Sequence, residues 1–508
     1  MTTAAERVAS ALPNLGRPDL AAFTSWDALT PHLANEETKL NRKLAPSLED
    51  AIRRSGLKDG DTISFHHHFR GGDKVVLMVV DELARLGYKN LTLAPSSLHD
   101  VHDPLVEHIK NGVITKIYTS GVRSELAKAV SNGLMDEPIT IHSHGGRVAL
   151  LQSGEIHIDV AFIGVSACDP LGNANGVTGR SHCGSLGYAM VDAEFADRVV
   201  MVTEEIVAYP NTPASIRQDQ VDIITVVPSV GDPKKISTGA ARATSNPREL
   251  LIANLAAEVV EHSGLFEEGF SIQTGSGGAS TATMRFMSER MKRRGITAGW
   301  ALGGITGALV DLQNEGLVET LVDTQSFDIV AADNILSGNK HHEISASEYA
   351  NPFAKGTAVD RLDMVILSAL EIDLNFNVNV LTGSDGIVMG ASGGHSDTAA
   401  GAKLSIITGP LLRGRIPTVV EEVTTMITPG VNIGVLITDH GIAVNPNKPD
   451  LEARLREAKL PVFSIQELYE KSVKFAGKPK PLEFGDKPVA IVRYRDGQVL
   501  DIVHEIKH

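Results

Sequence analysis

An internal repeat is the feature that most limits what this chain can fold into. The segment IDVAFIGVSACDPLGNAN at 158–175 aligns with LDMVILSALEIDLNFNVN at 362–379. Three polar residues recur after these apolar runs at a constant separation of 204 residues: Asp169, Asn173 and Asn175 in the first copy, and Asp373, Asn377 and Asn379 in the second. Identical polar residues at one offset predict a tandem duplication of a single domain.

The first copy alternates strand-like and helix-like segments. DTISF at 61–65 predicts a strand, and DKVVLMVVDELARLG at 73–87 predicts an amphipathic helix that ends at Gly87. NLTLAP, DPLVEHIKNG and ITKIYTS then predict a strand, a helix and a strand. Strands and helices that alternate over short loops predict an α/β fold with a largely parallel sheet.

The repeat sets the domain boundaries. Pro247, in TSNPRELL, is expected to open the first helix of the second copy. Beyond it, two β-rich runs flank Asp496-Gly497, which predicts a β-hairpin that closes a sheet edge or covers the leader. The chain thus divides into four parts: a leader segment at 1–45, a first domain at 46–243, a second domain at 244–450, and a tail of helix and hairpin at 451–508.

Charge and cysteine content exclude several classes of protein. A formal net charge of −15 over 508 residues argues against broad binding to nucleic acid or to an anionic membrane. The two cysteines, Cys168 and Cys183, exclude a disulfide framework and fit a reducing compartment. Neither a signal peptide nor a run of eighteen apolar residues is present, so we expect a cytoplasmic protein. Cys183 is expected to be a buried small residue, since nothing adjacent would activate its thiol.

Three loops rich in glycine or histidine follow predicted strands. They are HHHFRGGD at 66–73, QTGSGGAST at 273–281 and MGASGGHSDTAAGAK at 389–403. Ligands of open α/β sheets bind at the carboxyl ends of the strands, where glycine lets backbone N–H groups approach an anion or an oxyanion. Ordinary tight turns are the alternative. The candidate catalytic residues from these loops are Gly275, Gly277, Gly278, Gly393, Gly394 and His395.

Three consecutive histidines, His66, His67 and His68, suggest a metal site at first sight. Neighbouring side chains of an extended chain point to opposite faces, so three in a row do not converge easily on one ion. We therefore expect no metal here.

Four segments together carry a resemblance to a known family. VAFIGVSACDPLGNANG, SIQTGSGGAS, SALEIDLNFNVNVL and GASGGHSDTAAGAK resemble the coenzyme A transferase superfamily over about residues 50 to 445. The combination of FHHHFRGGD with SGGHSDTAAGAK is similar to the alpha subunits of citrate lyase. This resemblance implies two tandem coenzyme A transferase-like domains that face each other across a cleft lined by the loops above.

The resemblance also implies an activity and partners. Such a subunit transfers a thiol from an acetyl thioester to citrate, which yields citryl thioester and acetate. The thiol belongs to a coenzyme-A-like prosthetic group on an acyl carrier (gamma) subunit, and coenzyme A can substitute for it. A citryl lyase (beta) subunit would cleave the product. The resemblance implies an oligomeric assembly, with neither a metal nor a cofactor bound in this chain.

One departure from the superfamily pattern concerns the nucleophile. Many coenzyme A transferases carry a glutamate in Gly-x-His-x-Glu-x-x-x-Asp-Gly. The nearest stretch here is GWALGGITGALVDLQNEGLVE at 299–319, which places Gly303 at the glutamate position. The resemblance therefore implies direct attack by the citrate carboxylate, without a glutamyl thioester. Glu371, in SALEIDL, is a carboxylate near the sheet end that we interpret as structural.

Citrate carries three carboxylates, so its site requires cations or hydrogen-bond donors. Arg70 is the first candidate, and pairing with a surface acid is the alternative. His395 could orient a carbonyl or carboxylate, or be structural. Lys403 could be only a helix-end charge. The candidate substrate-binding residues are His66, His67, His68, Arg70, Gly71, Gly72, Arg180, His182 and Lys403.

Two other functions fit the same residues. One is a transferase or thioester hydrolase that uses free coenzyme A and another acid, such as citramalate. The other is a non-catalytic module that binds a sugar phosphate or an effector, because related folds serve as sensors.

Overall fold

The computed structural model describes residues 3–16, 22, 43–236, 244–275, 278–338 and 340–507. These residues form two units, Met1–Leu44 and Ala45–His508. In the smaller unit, the described residues form one α-helix and a 3-10 turn at Leu12–Leu15. Most of the leader predicted for 1–45 lies outside the described residues.

The described residues form fifteen α-helices. They are α1 (Ala4–Ala11), α2 (Leu48–Ser55), α3 (Val75–Leu86), α4 (Leu105–Lys110), α5 (Ser124–Ser131), α6 (His144–Gln152), α7 (Gly187–Phe195), α8 (Pro247–His262), α9 (Gly278–Arg294), α10 (Gly307–Asn314), α11 (Ile329–Ile335), α12 (Ala346–Ala350), α13 (His395–Gly401), α14 (Pro449–Glu457) and α15 (Ile465–Ala476).

The strands of the first copy and its neighbours are β1 (Leu44–Ala45), β2 (Thr62–Ser64), β3 (Leu91–Leu93), β4 (Ile114–Thr119), β5 (Ile139–Ile141), β6 (Val160–Cys168), β7 (Arg198–Ile206) and β8 (Ile223–Val226). Those that follow are β9 (Ser271–Thr274), β10 (Ala298–Ile305), β11 (Val318–Ser326), β12 (His341–Glu343), β13 (Met364–Ser368), β14 (Glu371–Ile372), β15 (Val378–Asn379), β16 (Leu404–Thr408), β17 (Leu412–Arg413), β18 (Ile416–Pro417), β19 (Val435–Thr438), β20 (Gly441–Val444), β21 (Val462–Phe463), β22 (Phe484–Arg493) and β23 (Val499–Ile506).

Two large sheets organise the chain, one for each copy of the repeat. The first has the strand order β1-β8-β7-β6-β2-β3-β4-β5-β22-β23, and the second has β12-β11-β10-β9-β13-β16-β19-β20-β21. Pairing is parallel from β8 to β22 in the first sheet and from β12 to β19 in the second. The predicted α/β fold with two largely parallel sheets is therefore confirmed.

The central strands are apolar on both faces, as expected where helices cover a parallel sheet. All nine residues of β6 are buried, and so are all five of β16. Helix ends follow the sequence signals: α3 ends at Gly87 in a left-handed conformation, and Asn246 caps α8 with Pro247 in its first turn. No described helix is both long and apolar enough to cross a membrane.

The repeated polar residues form the same turn in both copies. Asp169 accepts hydrogen bonds from the backbone N–H and side-chain amide of Asn173, and Asp373 accepts the same two bonds from Asn377. The third residue of each motif, Asn175 or Asn379, accepts backbone N–H groups two and three positions ahead. The repeat that reveals the duplication is thus a structural turn after β6 and β13.

The tail forms the predicted hairpin. Strands β22 and β23 pair in antiparallel fashion around Asp496-Gly497, and β22 joins the edge of the first sheet beside β5. The hairpin also reaches the second copy, because Asn432 donates to the Tyr494 hydroxyl at 2.6 Å. It therefore both closes a sheet edge and contacts the other copy.

Candidate active site

A cavity of about 260 Å³ lies between the two copies, at the carboxyl ends of their strands. Its walls come from both copies. The first copy contributes His67, Arg70, Ser97, His99, Ser120, Arg123, His144 and Tyr188. The second contributes Gln273, Thr274, Gly275, Gly303, Gly304, Thr324, Gln325, Phe327, Tyr349, Leu367, Ser368, Val380, Ala391, Ser392, Gly393, Gly394 and His395.

The three histidines after β2 alternate in direction. His67 faces the cavity, where its ring centroid lies 5.5 Å from that of His144 and 4.8 Å from that of Tyr188. The His66 and His68 rings stack on each other at 5.9 Å on the side away from the cavity. Only the middle histidine of the run can therefore contact a ligand in the cavity.

The two outer histidines hold the loop in place. His66 Nε2 lies 2.9 Å from Asp192, a buried carboxylate that also pairs with Arg147. His68 Nε2 donates to the carbonyl of Gly164 at 2.8 Å. These bonds point the rings at separate partners, so the run does not offer three ligands to one ion. In the described part of the chain, clusters of three possible metal ligands occur at His157, Asp159 and Asp197, and at Glu258, Glu261 and His262.

Two arginines make the first copy's wall cationic. Arg70 is buried, adopts a left-handed backbone with φ of 51°, and stacks its guanidinium 4.4 Å from the Phe327 ring centroid. Burial, reinforced by Arg123 nearby, lowers the pKa of Arg70 to about 10, so both side chains are cations at neutral pH. Charges this close together in a buried wall indicate a site for an anion.

The histidines of this wall are neutral at pH 7. Burial lowers the pKa of His67 and His99 well below the usual value, and neighbouring cationic groups lower both further. Burial and Arg147 lower the pKa of His144 to about 3. Each neutral ring supplies one N–H donor without adding to the repulsion between the arginines.

Two glycine pairs form the second copy's wall. A Cβ on Gly303 would lie 2.6 Å from the Gln273 side-chain amide, and a Cβ on Gly304 would overlap the Phe327 ring. A Cβ on Gly394 would lie 2.6 Å from the Tyr349 hydroxyl, while the Gly393 carbonyl accepts from the backbone N–H of His144. The glycines thus allow polar and aromatic side chains to lie directly against the backbone.

Several buried polar atoms at the cavity lack a hydrogen-bond partner among the described residues. They are His99 Nε2, Ser120 Oγ, His144 Nδ1, Gln273 Oε1 and Thr324 Oγ1. Buried polar groups are nearly always satisfied in folded proteins, by protein, water or ligand. This group of five therefore marks the cavity as a place for a polar ligand. None of the described lining residues is Asp or Glu.

The cavity brings together part of the predicted site. His67, Arg70, Gly275, Gly393, Gly394 and His395 line it. His395 is fully engaged, because its Nε2 donates to the Ser368 carbonyl at 3.1 Å and its Nδ1 accepts from Thr428 at 2.7 Å. It therefore positions the backbone of Ser368 and does not offer a nitrogen to the cavity. Gly277 lies outside the described residues.

Other predicted residues lie elsewhere. Gly71 and Gly72 form a 3-10 turn after Arg70, and Gly278 begins α9 without lining the cavity. Each of the remaining three predicted side chains pairs locally with a carboxylate: Arg180 with Glu204, His182 with Asp333, and Lys403 with Asp363. Arg180 and Lys403 therefore belong to ion pairs, and His182 to a hydrogen bond, outside the cavity.

Two residues that resemble nucleophiles do not line the cavity. Cys183 is buried, and burial raises the pKa of its thiol well above the usual value. Glu371 accepts hydrogen bonds from Asn379 at 2.8 Å and from the backbone and side chain of Thr424. Both carboxylate oxygens of Glu371 are therefore used within the fold.

Sequence reasoning missed most of the cationic and polar wall. His99, Arg123 and His144 follow β3, β4 and β5, and Gln273 and Tyr349 come from β9 and α12. Gln273 opens the glycine-rich loop at 273–281 but was not among its candidates, and the other four residues lie outside the three loops named above. Their positions just beyond parallel strands are the signal that could have identified the first three.

Comparison with known proteins agrees with this geometry. The family model for the citrate lyase alpha subunit matches residues 41–506. The citrate lyase alpha chain of Klebsiella pneumoniae is 61% identical over 489 residues, which cover 96% of each chain.

Solved structures are also similar to this chain. A crystal structure assigned to the alpha subunit of citrate lyase from Streptococcus mutans, in complex with citrate, has a TM-score of 0.90 at 53% identity and covers 92% of both chains. A Pseudomonas malonate decarboxylase hetero-tetramer, at 16% identity, has a TM-score of 0.65 over 85% of this chain and 86% of the other, so it shares the fold alone. The chain belongs to the citrate lyase alpha-subunit family.

Proposed function

We propose that this chain transfers a thiol from an acetyl thioester to citrate, yielding citryl thioester and acetate. The observation that carries the proposal is the composition of the cavity. Two arginines, Arg70 buried and Arg123 partly buried, and three neutral histidines face two glycine pairs, and no carboxylate lies among the described lining residues. The citrate bound to the Streptococcus mutans relative supports the same acceptor.

Citrate binds at the first copy's wall in this proposal. Arg70 and Arg123 compensate negative charge, while His67, His99 and His144 donate N–H groups to carboxylate oxygens. His99 Nε2 and His144 Nδ1 are among the buried atoms without partners. A tricarboxylate would satisfy these atoms and stabilise the arginine pair.

The acetyl thioester lies against the second copy's wall. Gly275, Gly393 and Gly394 leave room for a thioester to approach the backbone. Leu367, Val380 and Ala391 add apolar surface, which suits the acetyl methyl group and the thioester sulfur. The two walls then hold both substrates together, and such proximity supplies much of the rate enhancement.

The chemistry proceeds in two balanced acyl transfers. A citrate carboxylate oxygen forms a bond to the acetyl carbonyl carbon, and the carbonyl electrons move to its oxygen. When they return, the C–S bond breaks, and the thiolate leaves with its electron pair from an acetyl–citryl anhydride. The thiolate then attacks the citryl carbonyl of the anhydride, and acetate leaves. No proton is gained or lost, so neither step needs an acid or a base, and the described lining residues include no Asp or Glu.

The proposal includes no covalent enzyme intermediate. Gly303 stands where the superfamily pattern has its glutamate, and its φ is 106° with the Gln273 amide against its Cα. A glutamate at this position would collide with that amide. With no carboxylate among the described lining residues, citrate itself is the nucleophile.

The chain acts within a citrate lyase complex in this proposal. An acyl carrier (gamma) subunit delivers the thiol on a coenzyme-A-like prosthetic group, and coenzyme A can replace it. A citryl lyase (beta) subunit cleaves the product, and the assembly is oligomeric. Family membership supports these partners.

The test is a direct assay of the purified chain. With acetyl-coenzyme A and citrate, we expect citryl-coenzyme A and acetate in equal amounts by mass spectrometry. Citramalate and other hydroxy acids serve as alternative acceptors in parallel. Absence of transfer to citrate, or faster transfer to another acid, would refute the proposed substrate.

A further inference from the structure

We propose that Gln273 and Tyr349 form a pair of hydrogen-bond donors for the oxyanion that develops in thiol transfer. The inference rests on the proposed function and assigns a catalytic role to two residues that were not among the candidates from the glycine-rich loops. Gln273 comes from β9 and Tyr349 from α12, so only the fold brings them together.

The pair bridges the two glycine pairs. Gln273 Nε2 lies 2.9 Å from the Tyr349 hydroxyl. The Gln273 amide lies against Gly303, and the Tyr349 hydroxyl lies against Gly394. The bridge therefore crosses the second copy's wall from one glycine pair to the other, and both of its residues line the cavity.

A count of donors shows what the pair offers. The amide has two N–H groups and the phenol has one O–H, and their mutual bond uses one of these three. Two donors remain whichever way the amide is oriented. No other side-chain hydrogen bond joins either group to the described residues, and Gln273 Oε1 is buried without a partner. Buried polar groups with a purely structural role are usually all hydrogen-bonded, so the unsatisfied groups of this pair indicate a ligand.

The electrostatic setting suits a developing anion. Burial raises the pKa of Tyr349 well above its usual value, so the phenol keeps its proton. The buried wall around the pair excludes most solvent, which strengthens a hydrogen bond to an oxyanion. Both acyl transfers pass through such an oxyanion, and the planar carbonyls before and after them carry less charge. Donors that act on the oxyanion accelerate the reaction without tightening substrate binding.

The glycines explain why the pair fits. A Cβ at Gly303 or Gly394 would lie 2.6 Å from the bridge. The glutamate of the superfamily pattern and the Gln273–Tyr349 bridge thus exclude each other sterically. In this chain the space beside Gly303 holds the Gln273 amide, a neutral hydrogen-bond donor, where the superfamily pattern has a carboxylate nucleophile.

Tyr349→Phe and Gln273→Met test the inference, since each removes donors while keeping side-chain size. Removing one oxyanion donor typically costs about a hundredfold in kcat. We expect kcat for citryl-coenzyme A formation to fall by about that factor. KM for acetyl-coenzyme A and the citrate Kd from calorimetry should stay within about threefold. Tyr469→Phe is the matched control, because its hydroxyl contacts Glu421 outside the cavity.

Two different measurements test the proposed function and the oxyanion role of Gln273 and Tyr349. The wild-type rate with citrate decides the function, and the ratio of variant to wild-type kcat decides the pair. Folding of each variant is checked by near-UV circular dichroism. A kcat within threefold of wild type in both folded variants would overturn the inference. A loss that appears entirely in the citrate Kd would also overturn it, because the pair would then bind citrate in the ground state.

Discussion

At the scale of single residues, glycines without side chains make room in the cavity wall for larger neighbouring side chains. Four glycines each lie against one side chain: Gly303 against Gln273, Gly304 against Phe327, Gly393 against His144, and Gly394 against Tyr349. Phe327 in turn stacks under the Arg70 guanidinium. A Cβ at Gly303, Gly304 or Gly394 would come within 2.6 Å of the neighbouring side chain, so these three glycines are needed for the cavity wall as it stands.

Gly303→Ala tests this relation. A Cβ would push on the Gln273 amide, and a misplacement of about 1 Å in a site can cost about a hundredfold in rate. Gly269→Ala is the control, since Gly269 also has positive φ but has no atom within 4 Å of an added Cβ.

Both variants should lose about 1 kcal/mol of stability from backbone strain. Only Gly303→Ala should lose transfer activity as well. Equal kcat values for the two variants would show that the amide position does not matter.

At the scale of elements, the carboxyl ends of parallel strands assemble the cavity. The loop after β2 carries His67 and Arg70, and the bonds of His66 and His68 fix its course. Asp192, on α7, anchors this loop through His66 and Arg147. The buried pair of Asp192 and Arg147 therefore helps to hold His67 toward the cavity.

Asp192→Ala should destabilise the chain by about 3–5 kcal/mol, because Arg147 would stay buried without its charge partner. Glu319→Ala is the control, since its pair with Lys340 is exposed and should change the free energy of unfolding far less. Urea unfolding measures both. If Asp192→Ala were as stable as Glu319→Ala, the anchor would have no energetic role.

The elements also show what the sequence could predict. The strands and helices from 61 to 119, the end of α3 and the hairpin follow from apolar periodicity, glycine and Asp-Gly signals. Tyr349 could not be found from local patterns, since it reaches the site only through topology. His99 and Arg123 are marked only by their positions just beyond predicted strands. Arg180 and Lys403 looked functional, but a nearby carboxylate pairs with each of them.

At the scale of the molecule, the two copies of the repeat contribute different types of residue to the cavity. Both arginines among the described lining residues come from the first copy, and all the glycines come from the second. The shared turn after β6 and β13 preserves the ancestral geometry, while the loops diverged. In the proposed function the first copy binds the anion and the second the thioester, so both copies are needed for a complete site.

Buried histidines make stability depend on pH. Burial lowers the pKa of His67 and His99 well below the usual value and that of His142 and His144 to about 3. Below about pH 6.5 the unfolded chain binds protons that the folded chain does not. The free energy of unfolding should then fall, by up to about 1.4 kcal/mol per pH unit for each histidine.

Two carboxylates oppose this trend, because burial raises the pKa of Glu343 above its usual value and that of Asp397 to about 6. Their contributions grow as pH falls through their folded-state pKa values, but the histidines outnumber them. Urea unfolding at pH 7, 6 and 5 measures the slope, which His99→Gln should reduce by about one proton. Stability that is constant or rises toward pH 5 would contradict the neutral histidine wall.

The most direct test of direct transfer is a search for a covalent enzyme thioester. The chain is incubated with acetyl-coenzyme A alone, treated with borohydride, digested and analysed by mass spectrometry. A glutamyl thioester would be reduced to an alcohol on one peptide. We predict that every glutamate remains intact, because Gly303 replaces the superfamily nucleophile and Glu371 is bonded within the fold. A reduced peptide that contains Glu371, or any other glutamate, would show that the enzyme itself carries the acyl group.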